Sequence, residues 1–94
     1  MIEEELLTEE NRFEALNKAK EAFGESEGEL MARFLNPIGR HEAQDRAFIA
    51  HEHVETYLVN HPFIIMDKES WRLAMIANQC LAELYQRTAN VNIE

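Results

Sequence analysis

Residues 67–88, DKESWRLAMIANQCLAELYQRT, decide the fold. Trp71, Leu73, Ala74, Ala77, Cys80, Leu81, Leu84 and Tyr85 recur at steps of three and four, the spacing of an α-helix with a wide apolar arc. The polar strip left over is Arg72, Gln79, Glu83, Gln86 and Arg87, with Met75 and Ile76 at its borders. Asp67 is a natural N-cap, with Met66 and Trp71 placed for a hydrophobic staple.

Residues 37–60, PIGRHEAQDRAFIAHEHVETYLVN, read the same way. Ala43, Ala47, Ala50, Val54, Tyr57 and Leu58 form one face, and the alanines allow a second helix to come close. Phe48, Ile49 and Val59 fall off that face. Each of these two helices is about 30 Å long at ~1.5 Å per residue. Equal length and a short connector through Pro62 predict an antiparallel hairpin. Within the connector, Phe63–Met66 is short enough to be an extended segment. Val54, Leu58, Leu81 and Leu84 are the residues expected at the hairpin's centre.

Upstream lie two shorter helices. Phe13, Leu16, Ala19 and Phe23 mark the first, which runs from Thr8, or from Ile2, to Phe23 and stops at Gly24. Ser26-Glu27-Gly28-Glu29 has the spacing of a capping box and opens the second, carrying Leu30, Met31, Phe34 and Leu35. It ends before Pro37, and Asn36 is placed to cap the helix that follows. The fold class is therefore all-α: a small helical bundle of short N-terminal helices and a long antiparallel hairpin. At 94 residues it reads as one domain, with 1–7 an acidic arm and 89–94 a flexible tail.

Charge is distributed unevenly. The chain has 18 acidic and nine basic side chains, a net −9. Ten of the acids precede residue 31, opposed there only by Arg12, Lys18 and Lys20, which leaves 3 − 10 = −7 on that segment and −2 on the remainder. Such a balance repels nucleic acid and anionic lipid and suits a basic protein surface. Glu3, Glu4, Glu5, Glu9, Glu10 and Glu14 are the candidate partner-binding residues. Phe48, Ile49, Val59, Met75 and Ile76 are the candidates for self-association, because one short chain has little core with which to cover them.

Chemistry-bearing patterns are sparse. His41 and Asp45 stand four apart, with Glu52 further along that face, but neither a zincin motif nor a di-iron pattern accompanies them. His51 and His53 point in different directions on a helix. Cys80 is the single cysteine, which excludes an internal disulfide, and on the apolar flank of its helix it is expected to be a small buried hydrophobe. No glycine-rich phosphate loop is present; Arg33, Arg40, Arg46 and Arg72 are the cations that would have to converge on an anionic nucleotide. No catalytic residue, metal ligand or cofactor site is expected.

The longest purely apolar run, Phe63–Met66, cannot span a bilayer, and the acidic N-terminus is unlike a secretory signal. These features predict a cytoplasmic protein without membrane contact. In size, acidity and lack of catalytic motifs the chain resembles the small accessory proteins of tailed bacteriophages, inhibitors of host defence among them. That resemblance implies a non-enzymatic viral protein that inhibits or modulates a basic host protein in the host cytoplasm. The residues leave two alternatives open: a self-associating assembly subunit, and an oligomer that sequesters a small anionic nucleotide.

Overall fold

A computed structural model describes residues 7–92 and places them in five α-helices: α1 (Glu9–Phe23), α2 (Glu27–Phe34), α3 (Pro37–Val54), α4 (Pro62–Met66) and α5 (Lys68–Asn90). No strand occurs among the described residues, so the fold is all-α. The helices belong to two compact units, residues 1–36 and residues 37–94.

In the first unit the local chemistry of the sequence accounts for every helix end. The Thr8 hydroxyl accepts from the Asn11 amide at 3.1 Å and starts α1. Gly24 ends it in the left-handed region at φ 63°, where the Gly24 and Glu25 amides donate to the Glu21 and Lys20 carbonyls. The capping box forms in full: Glu29 N–H donates to the Ser26 hydroxyl at 3.2 Å, and Ser26 N–H to the Glu29 carboxylate at 2.9 Å. Hydrogen bonding from the Ser26 amide, and then from its side chain, holds the Glu29 carboxyl below its ordinary 4.5. The Asn36 side-chain amide donates back to the Ala32 and Arg33 carbonyls and closes the last turn of α2.

Packing in this unit is light. Phe23 and Phe34 meet edge to face at 5.3 Å, and the Arg33 guanidinium covers both rings while pairing with Glu25 at 3.3 Å. Leu30 is buried, whereas no residue of α1 is.

The second unit contains the hairpin. Arg40 Nη1 donates to the Ala89 carbonyl at 2.8 Å, and the Phe48 and Tyr85 rings pack at 5.8 Å. These two contacts fix α3 and α5 as antiparallel. α5 extends past Thr88 to Asn90, and its Ala89 carbonyl is tied to the start of α3. Burial then marks the seam. On α3 it follows Arg40, Gln44, Ala47, His51 and Val54; on α5 it follows Ala74, Asn78, Leu81, Tyr85 and Thr88. Both series step by four and three, the period of two helices packed along their length.

The seam differs from the expected face in two respects. Ala47, Val54 and Leu81 lie on it as expected, but so do Gln44, His51 and Asn78. Leu58 and Leu84, expected at the centre, are exposed. For Leu58 the cause is a π-helical segment, Glu55–Val59, closed by the Asn60 amide donating to the Glu55 carbonyl at 3.2 Å. A π turn uses an i→i+5 step and so turns later residues by roughly 100° against an α-helix. Tyr57 and Leu58 swing outward, and Val59 becomes partly buried.

The connector is helical rather than extended. Pro62 occupies the first turn of α4, and His61 Nδ1 accepts from the Phe63 amide at 3.1 Å as its cap. α5 follows at once, capped by Asp67, which accepts from the Ser70 amide at 3.2 Å. Met66 is 79% exposed, too open to act as a staple for Trp71.

Candidate functional surfaces

Two surfaces stand out, one charged and one apolar, in separate units.

The charged surface lies on α1. Glu10, Glu14 and Glu21 fall within about 40° of one another around the helix axis at ~100° per residue, so their carboxylates line one exposed strip. Glu9 lies off this strip and is tied to Arg12 by a two-pronged ion pair at 2.6 and 2.7 Å. The hydrogen bonds that Arg12 donates hold the Glu9 carboxyl below its ordinary 4.5, and the same bonds raise Arg12. Of the six glutamates expected to bind a partner, Glu10 and Glu14 therefore share an exposed strip and Glu9 sits beside it. Glu3, Glu4 and Glu5 lie outside the described residues. Glu21 was not singled out from the sequence as a binding residue; its spacing of seven from Glu14 is the signal that places it on the same strip.

The apolar surface lies on the hairpin. Helical geometry and the antiparallel contacts give the hairpin two flanks. One carries Phe48, Ala82 and Tyr85, which with His51 and Gln86 line a shallow depression of about 200 Å³. Met75 points to this same side. The opposite flank carries Ala43 and Ala50 from α3 and Leu73, Ala77, Cys80 and Leu84 from α5. Leu73 is 42% and Leu84 48% exposed, Ala77 is open as well, and Cys80 is exposed rather than buried, because the seam with α3 runs along the other side of α5.

The five residues expected to mediate self-association do not share one patch. Phe48 and Met75 are on the first flank, Ile49 and Ile76 point away from the seam, and Val59 is drawn inward by the π segment.

Arrangements for other chemistries are weak. His41 Nε2 and Asp45 form an exposed pair at 3.4 Å, and among the described residues no three His, Cys, Asp or Glu side chains converge as metal ligands. His51 Nδ1 faces Glu55 at 3.8 Å. Each of the four arginines considered for nucleotide binding has a partner within its own unit: Arg33 with Glu25, Arg40 with the Ala89 carbonyl, Arg46 with Glu42 at 3.2 Å, and Arg72 with Glu69 at 3.1 Å. Among the described residues no helix is long and apolar enough to cross a membrane. No protein-family model, curated protein or solved structure matches this chain.

Proposed function

We infer that the chain acts by binding another protein and not by catalysis, as an acidic helical accessory protein that docks on a basic surface of a host protein. The single observation that carries this reading is the strip of Glu10, Glu14 and Glu21, exposed along one face of α1. It covers eleven residue steps, about 16 Å along the axis at ~1.5 Å per residue. Carboxylates spaced in this way offer successive contacts to lysines or arginines, and exposed charge of one sign speeds the encounter with a surface of the other sign. The wider −7 charge of the first thirty residues supplies the long-range field. The phage character, the inhibitory role and the cytoplasmic setting belong to this proposal.

The experiment is capture from bacterial lysate with the parent and with a variant changing Glu10, Glu14 and Glu21 to glutamine, followed by association kinetics on the captured protein. Glutamine is nearly as good a helix former as glutamate, so α1 is retained. The reading expects the association rate to fall about tenfold or more at low salt, with the difference closing as salt screens the charges. Equal rates for parent and variant at low salt would remove the strip from the function.

A further inference from the structure

We propose that the exposed flank of α5 is a two-fold interface between two copies of this chain, with the axis passing between Ala77 and Cys80. The proposal rests on the hairpin and is independent of the acidic strip on α1.

The first observation is the order of residue sizes. Along this flank α5 presents Leu73, Ala77, Cys80 and Leu84, spaced four, three and four. The series is large, small, small, large, and reads the same in both directions. A two-fold contact requires that if residue i meets residue j, then j also meets i. Two copies of α5 laid antiparallel about the centre of this series set Leu73 against the partner's Leu84 and Ala77 against the partner's Cys80. Small residues at the axis let the helices approach closely, and the leucines close both ends.

The second observation is charge. No ionised side chain interrupts the series. Just beyond its ends, on the same side of the helix, stand Glu69 and Arg87. The antiparallel alignment brings Glu69 of one copy to within one residue of Arg87 of the other, at both ends. A parallel alignment would set like charges together. The sequence therefore selects direction as well as contact.

The third observation is area. Ala47 and Ala74 are the buried side chains among the described residues of the hairpin unit, and neither fills much space. α3 has 18 residues. The hairpin face is thus about 27 Å long by 20 Å wide, on the order of 540 Å² in projection, and side-chain relief raises it toward the roughly 800 Å² per partner that a stable interface buries. Stacking two hairpins on this flank also brings Ala50 under the joint and gives a four-helix arrangement.

The test uses the full chain. Sedimentation equilibrium from 1 to about 200 μM, a range that brackets micromolar association, should return a mass of twice the 11.0 kDa chain at the upper end. Two variants then probe the axis: Ala77→Glu with Cys80→Glu, and Ala77→Lys with Cys80→Lys. Each sets four like charges at the joint and is expected to sediment as a single chain. An equimolar mixture of the two should recover the doubled mass, because unlike charges then face each other. A parent that stays at single-chain mass at the highest concentration overturns the proposal. A glutamate variant that still dimerises places the contact elsewhere and overturns it as well. Should both variants lose helical circular dichroism and the mixture fail to restore it, the flank serves the fold of the single chain, and the two-fold interface is refuted.

Discussion

Leu81→Ala measures how firmly the hairpin seam is made. Leu81 lies on the seam of α5 between Asn78 and Tyr85 and is only partly buried. The substitution removes three carbon atoms. At ~0.8 kcal/mol per buried methylene, full burial would make the transfer loss about 2.4 kcal/mol, to which a closed core adds a cavity term. Here the site is partly open, so water enters the space and the cavity term falls away. The expected loss is about 1.5 kcal/mol. Urea unfolding followed at 222 nm gives the number directly. With a slope of roughly 1 kcal/mol/M for so small a unit, the midpoint should drop by about 1.5 M. The melting temperature should fall by roughly 6–12 °C. A loss below about 0.5 kcal/mol would mean that Leu81 faces solvent and that the seam through Ala47 and Ala74 is wrongly phased. A loss above about 4 kcal/mol would mean complete burial, which would refute the open seam.

Asn78→Leu should stabilise the hairpin by about 1 kcal/mol in the same urea assay, because the buried Asn78 Oδ1 has no hydrogen-bond partner; a destabilised variant would show that this oxygen is satisfied in solution. Ser26→Ala should weaken α2 by about 1 kcal/mol through the lost cap, read as reduced amide-exchange protection over Glu27–Phe34 with α5 unchanged. Acid should act on the same turn. Because the Glu29 carboxyl titrates lower folded than unfolded, its contribution is complete above about pH 4.5 and is lost as the pH falls below that value. NMR titration of Glu29 should therefore give a midpoint below 4.5, moving up only part of the way in Ser26→Ala, which keeps the amide donor; a midpoint at 4.5 in the parent would separate the carboxyl from the cap.

How much of this could be read from the sequence depends on how local the cause is. The caps at Ser26 and Asp67 and the stop at Gly24 were legible because each needs only residues three or four apart, and Thr8 was legible as one of two starts for α1. The all-α class followed from periods of three and four. α4 was harder: Phe63–Met66 is too short for period to separate helix from strand, and the deciding groups are Pro62 and the His61 ring.

The seam was legible in place and not in phase. An arc as wide as that of α5 admits several inward directions, and the one taken depends on where α3 lies, marked by Arg40 on Ala89 and Phe48 on Tyr85. Gln44, His51 and Asn78 consequently sit in a contact that hydrophobicity alone would have given to larger residues. The candidate surfaces divide likewise. Glu10 and Glu14 were visible as charge, whereas the Leu73–Leu84 flank emerges only once the seam has claimed the other side of the helix.

The widened turn after Val54 also bears on how the hairpin would take a change of length. Its geometry is that of an α-helix carrying one extra residue, held where the step opens from i→i+4 to i→i+5. A variant lacking one residue among Glu55–Val59 would carry α3 straight to its end, with Leu58 turned in and Val59 turned out. Arg40 and Phe48 lie before this turn, so the change leaves their places on α3 as they are, while Ala89 and Tyr85 lie after it. Removal of one residue should therefore disturb the hairpin less within those five positions than within the seam of α3 or α5.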